Sequence, residues 1–182
     1  MSDILLLNQD GQPLTLWPLS TITWQQGIKA HFLGKVTILR SYNDWVCRSQ
    51  HLALPMPSVL MMARYRPLSG KVNFTRRNIY LRDRFSCQYC HKPFNLEQLT
   101  IDHVVPKSRG GETRWDNVVA ACHRCNLKKG SEIVLPERAA FEPNYWQMVV
   151  LAKTLPLRIP DPQWQDFLQW PEDLVRISDK AA

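Results

Sequence analysis

Four of the five cysteines fall into two pairs of one form, CQYC (Cys87, Cys90) and CHRC (Cys122, Cys125). A two-residue gap lets one turn present both sulfurs to one ion, and four thiolates complete the tetrahedral shell of Zn²⁺. Either pair alone also suits a redox dithiol; two matched pairs point to structural zinc, which would add folding energy to a small module. The 31 residues between the pairs exceed what a minimal ribbon needs, so the insert builds something of its own. It contains LTIDHVVPKSRGG, Leu99 to Gly111, with Asp102 and His103 side by side. An imidazole titrates near pH ~6.5 and can take a proton from water at neutral pH. Neighbours on a regular strand face opposite ways, however. Both residues serve one reaction only if the strand ends or kinks there, which nearby Pro106 favours, or if the substrate lies between them.

The elements that must position these groups follow from local pattern. LTIDHVV alternates as a half-buried strand closed by Pro106. SRGGETRWDN is a turn, and NVVAA resumes a strand or leads into a helix. CHRCNLKKG is a short helix with Lys128 and Lys129 in its last turn and Gly130 as its stop. RRNIYLRDR, just upstream, reads as a helix with Ile79, Leu81 and Phe85 packed and Arg76, Arg77, Arg82 and Arg84 turned towards phosphates. Nearer the start, Thr23 and Gln26 form a capping-box pair for a helix whose apolar stripe is Trp24, Ile28 and Phe32. Strand-like ILLLN precedes it, KVTILR follows it, and LPMPS is a stiff connector. In the last part, DPQWQDFLQW is a short helix capped by Asp161, with Pro162 first and Trp164, Phe167 and Leu168 facing the core. The expected class is α+β in three parts. They are a small α/β region with a Pro-containing linker over 1–70, a zinc-bearing finger over 71–135, and a helical or irregular tail over 136–182.

Charge is concentrated on the same segment. Twelve of the 23 lysines and arginines, but five of the 16 acids, lie between residues 71 and 131; outside it, basic and acidic residues balance. The whole net charge of +7 thus sits in one third of the chain, as a polyanion-binding surface would place it. No apolar run approaches the roughly 18 residues of a membrane span. The opening MSDILLL lacks the features of a secretory signal, so the expected compartment is the cytoplasm, where thiols stay reduced.

CxxC, a DH pair, a Gly-Gly turn, W-x-N and CxxCN-x-x-K, in that order, resemble the HNH endonucleases, whose active unit is a ββα-metal finger. ILLLNQDGQPL, WQQGIKAHFLGKVTIL and RRNIYLRDRFSCQYC extend the resemblance to small bacterial HNH proteins with an N-terminal companion region, over about residues 4–140. The resemblance implies His103 as the general base and Asp102 with Asn126 as ligands of a catalytic divalent ion. It also implies Asn117 as the residue that holds the base-bearing loop. Many members carry His where Asn126 stands; the Asn form is similar to the nuclease finger of RNA-guided DNA-cutting proteins. A carboxylate with an amide oxygen favours Mg²⁺ or Mn²⁺. Such an ion would serve the phosphate and the departing 3′ oxygen.

The expected function is therefore metal-dependent hydrolysis of DNA phosphodiester bonds, leaving 5′-phosphate and 3′-hydroxyl ends. Arg76, Arg77, Arg82, Arg84, Lys107, Arg109, Arg124, Lys128 and Lys129 are the expected DNA contacts. One finger on a monomer would nick; a double-strand break would need a homodimer or two visits. A zinc-stabilised DNA-binding module that does not cut, or an assembly protein, would share the cysteines and the charge. Only Asp102, His103, Asn117 and Asn126 separate the nuclease from these.

Overall fold

Thr23 and Gln26 open the first helix by a reciprocal cap. The Gln26 amide donates to Thr23 Oγ1 at 3.4 Å and the Thr23 amide to Gln26 Oε1 at 3.1 Å. Helix α1 (Trp24–Phe32) lies over a four-stranded sheet in the order β2-β1-β4-β3, formed by β1 (Ile4–Leu7), β2 (Thr21–Ile22), β3 (Val36–Arg48) and β4 (Ala53–Met62). The computed structural model describes residues 4–50, 52–67 and 70–178. These residues group into two units, one holding the chain up to 67 together with that from 153, the other 70–152.

In the four-stranded sheet of the first unit β1 pairs parallel with β4, while β1 with β2 and β3 with β4 are antiparallel. Ile4, Val36 and Leu60 form its core, with Ile22, Trp24 and Ile38 against them. The helix approaches so closely at Gly27 that a Cβ there would strike the Ile4 side chain. Phe32, expected on the buried stripe, is instead 63% exposed. LPMPS is not a connector but part of β4. Its prolines are tolerated because β1 reaches only Val59–Met61; along 55–57 the strand has β3 alone beside it, where the pairing already shifts register. From residue 153 the chain returns to this unit. Buried Trp164 donates from Nε1 to Ser58 Oγ at 2.9 Å, Ser58 donates to Asp161, and Asp161 caps the turn through the Gln163 amide at 2.9 Å.

The second unit is built on helix α2 (Arg76–Arg82), the antiparallel pair β5 (Leu99–His103) and β6 (Val118–Cys122), and helix α3 (His123–Lys129). One face of the pair packs Leu99, Val118 and Ala120 against Ile79, Tyr80 and Trp115. α2 ends in a Schellman turn: the Phe85 amide donates to Tyr80 O at 2.8 Å and the Arg84 amide to Leu81 O at 3.0 Å. Arg84 occupies the left-handed position that glycine usually fills, at φ +54°, which costs about 1 kcal/mol or more. Helix α4 (Tyr145–Ala152) closes the unit, so residues 136–182 do not form one tail but are divided between the two units.

Arg82, expected at phosphates, is 2% exposed and spends all five N–H donors inside the unit. Nε and Nη2 grip Asp83 at 2.8 and 3.0 Å, Nη1 donates to Trp115 O and Phe141 O, and Nη2 also to Val118 O at 2.7 Å. Asp83 in turn accepts from the Ala120 amide at 2.7 Å, and the Gln88 amide donates to Ala120 O. Residues 82–88 thereby satisfy the outer edge of β6. Removing one member of a buried pair leaves the other charge without compensation, at a cost of about 3–5 kcal/mol. Arg82→Met should therefore lower unfolding free energy by that order in urea titration, with part recovered in Arg82→Met/Asp83→Leu.

Candidate active site and metal centre

Cys87 and Cys90 sit on the turn after α2, Cys122 ends β6, and Cys125 lies in the first turn of α3. The Cys87 amide donates to Lys92 O at 3.0 Å and the His91 amide to Cys87 O at 2.8 Å, closing a knuckle that His91 enters at φ +59°. All four are free thiols, and their sulfurs lie within 4.8 Å of one another. A tetrahedral ion with bonds of ~2.3 Å spaces its ligands by roughly 3.8 Å, so the cluster fits such an ion with little movement. Burial pushes the Cys125 thiol up to about 12. Burial also opposes ionisation of Cys87, but hydrogen bonds from the backbone of Cys122, Tyr89 and Cys90 outweigh it and bring that thiol below its ordinary value.

Strand alternation does separate Asp102 from His103. Asp102 shares the α3 face of β5 with Thr100, whose hydroxyl accepts from Asn126 Nδ2 at 2.9 Å. Asn126 thus lies over the face that carries Asp102. The carboxylate is only 6% exposed and both its oxygens have partners. Tyr89, between the first two cysteines, donates its hydroxyl to Oδ2 at 2.5 Å, and Lys129 Nζ lies 3.3 Å from Oδ1 and 3.2 Å from Oδ2. The ammonium also donates to His103 O at 2.7 Å. Burial, then the bond to Asp102, pushes the Tyr89 phenol well above its usual range, so it stays a donor.

His103 is the last residue of β5 and half-buried on the opposite face, its Nε2 2.8 Å from Thr113 Oγ1. Burial and the charge of Lys107 lower its pKa below the ordinary value, against a smaller opposing effect of Asp102, with Lys129 adding to the lowering. The imidazole is therefore mostly neutral, with a lone pair to accept a proton, at neutral pH. Asn117 holds the loop that follows. Its Oδ1 accepts from the Val105 amide at 2.9 Å, and Nδ2 donates to Val105 O at 3.1 Å and Glu112 O at 2.8 Å. Gly111 is required there, since a Cβ would collide with the Val105 carbonyl.

The expected DNA contacts divide. Arg76, Arg77, Arg84, Lys107, Arg109, Arg124 and Lys128 are exposed. Arg82 and Lys129 are not: the first is the buried hub of the fold, and the second is 6% exposed on Asp102. Tyr89, Thr113 and the inward turn of Lys129 carry no local signal in the sequence. Only Thr100 was recoverable, as the residue two before Asp102 on one strand face.

Residues 87–132 match the family model described as HNH endonuclease, and residues 4–69 match that of the HNH endonuclease-associated, N-terminal domain. A curated relative, the CRISPR-associated endonuclease Cas9 of Corynebacterium diphtheriae, is 41% identical over 51 residues, 28% of this chain and 5% of that protein. The chain thus spans a small fraction of that relative's length. β5, β6 and α3 lie inside both the HNH match and the four-cysteine cluster's frame. The chain carries an HNH endonuclease domain of α+β build, with four clustered cysteines able to hold zinc, together with the N-terminal domain that accompanies such endonucleases.

Proposed function

We propose that this protein is a metal-dependent endonuclease that hydrolyses phosphodiester bonds in DNA, with Zn²⁺ on Cys87, Cys90, Cys122 and Cys125 as a structural ion. The observation that carries the reading is a half-exposed imidazole at the end of β5 whose strand neighbour is a buried carboxylate on the face covered by Asn126. Asp102 and Asn126 form an all-oxygen donor set, which fits a hard divalent ion such as Mg²⁺ or Mn²⁺. When bound, that ion would supply charge neutralisation at the phosphoryl oxygens and at the leaving 3′ oxygen. It would compete with Lys129 for the carboxylate, so binding to the free protein is expected to be weak.

The protein's own groups do the rest. With Nε2–H donated to Thr113, Nδ1 of His103 takes a proton from water. The resulting hydroxide attacks phosphorus, the P–O3′ bond breaks, and the 3′ oxygen leaves to gain a proton, giving 5′-phosphate and 3′-hydroxyl ends. Asn117 positions the loop that carries Thr113 and so holds the ring's orientation. Exposed Lys107, Arg109, Arg124 and Lys128 would contact phosphates of the bound DNA, so affinity should fall steeply with salt. No helix among the described residues is long and apolar enough to cross a membrane. Four free thiols suit a reducing compartment such as the cytoplasm. A monomer with one such site would nick.

His103→Ala should abolish Mg²⁺-dependent nicking of supercoiled plasmid, while zinc content and the salt dependence of DNA binding stay as in the parent; cutting by the purified variant would refute the base assignment. Asn117→Ala leaves three loop partners unmet and should speed amide exchange at Val105, with a loss of roughly 1–3 kcal/mol in local stability. Cys87→Ala should lose the bound zinc and unfold residues 70–152, read by metal analysis and circular dichroism; a folded, metal-loaded variant would exclude the four-thiolate site.

A further inference from the structure

We propose that residues 70–152 hold a second nucleic-acid site, a groove between α2 and α4 that takes an unpaired base on Trp146 and the adjoining phosphate on Arg84 and Arg138. The inference rests on the nucleic-acid reading above but uses none of the groups that perform the cleavage. Two cavities of about 460 Å³ each meet at Arg84 and Arg138, which line both. One is aromatic, with Phe141 and Trp146; the other is polar, with Ser86 and Gln88. Each volume is within the range of small-ligand pockets, and a pair of hollows with a cationic waist suits two nucleotides joined by one phosphate.

Charge favours the same occupant. Among the described residues neither guanidinium has a side-chain partner. Asp83 and Glu137 also line the polar hollow, and both carboxylates are engaged there: Asp83 by Arg82 and the Ala120 amide, and Glu137 by His91 at 2.8 Å. Trp146 is 63% exposed and makes an edge contact with buried Tyr145, with centroids 5.2 Å apart and planes at 74°. An indole with an open surface beside arginines is the stacking platform of single-strand binders. The wall is rigid as well, because Arg82 holds the Phe141 carbonyl at 2.9 Å and lies 5.5 Å over its ring. Arg84 sits at the helix-ending position where glycine would be unstrained, so its side chain stands there at a local conformational cost. Arg84, Arg138 and Trp146 all lie outside the matched segment 87–132.

The test uses the zinc-loaded full chain without Mg²⁺ and a fluorescent mixed-sequence single-stranded oligonucleotide, followed by anisotropy across a salt series. Trp146→Ala should weaken binding about five-fold or more and Trp146→Phe should restore most of it. Arg84→Gly with Arg138→Ala should flatten the slope of log affinity against log salt by about 0.7, the share of one phosphate on a single strand. Arg84→Gly alone should weaken binding while keeping or raising the melting midpoint, a combination that a structural role would not give. Unchanged affinity and slope in folded variants, with parental binding intact, would overturn the groove and leave the nuclease reading standing. Absence of any nucleic-acid binding by the parent would overturn both. A parental dimer that Trp146→Ala dissociates, with unaltered oligonucleotide affinity, would assign the groove to a second copy of the chain and also overturn it.

Discussion

The buried Arg82–Asp83 pair is the interaction on which residues 70–152 depend, because a two-stranded ribbon is not stable by itself in water. β5 satisfies only one edge of β6. The other edge meets an aspartate, an arginine and the Gln88 backbone in place of a third strand. Taking two charges out of water is expensive, and here the expense is offset by the use of every guanidinium N–H. The consequence reaches the site. Arg82 fixes the carbonyls of Trp115 and Val118, which bracket Asn117, and Asn117 fixes the backbone at Val105 and Glu112. The Thr113 hydroxyl that meets His103 lies on that same loop.

The four-cysteine cluster and the Asp102 pocket share a single turn of chain. Tyr89 lies between Cys87 and Cys90 and donates to Asp102, so whatever orders the knuckle also orders the carboxylate. Lys129 couples the opposite end, since it comes from the helix whose first turn supplies Cys125 and it bonds both Asp102 and the His103 carbonyl. An ion on the four sulfurs would therefore do more than hold a hairpin to a helix. It would fix both elements that supply partners to the carboxylate.

Much of this was legible in the residues, and what was not has a physical cause. The cysteine pairs, the capped helix α1, the DH strand and the Gly130 stop each carry a local signal, and each element formed where that signal stands. Arg82 and Lys129 show the limit. Composition treats every lysine and arginine alike, whereas burial depends on which acid or carbonyl the tertiary fold brings within about 3 Å. Asp83 and Asp102 are those acids, and no spacing rule links Asp102 to a lysine 27 residues later. Pro55 and Pro57 misled for a related reason. Proline excludes itself from the middle of a sheet but not from a stretch of strand with one neighbour, and neighbour number is a property of topology.

The alternation of β5 limits how the two residues proposed to act, Asp102 and His103, could meet one phosphate. Asp102 looks towards α3 and His103 lies on the opposite face beside Thr113, so no ligand lying flat on either face reaches both. The ladder, however, stops at the His103–Val118 pair; one further bond, from the Val104 amide to Asn117 O, precedes Pro106. A backbone laid across that end would have the imidazole on one side and the carboxylate with Asn126 on the other. Lys107 and Arg109 lie on the turn immediately beyond it. A strand that continued two residues further would bury that end, and Pro106, which has no N–H to give the ladder, prevents it. The same residue that ends the strand therefore leaves the two faces open to one substrate.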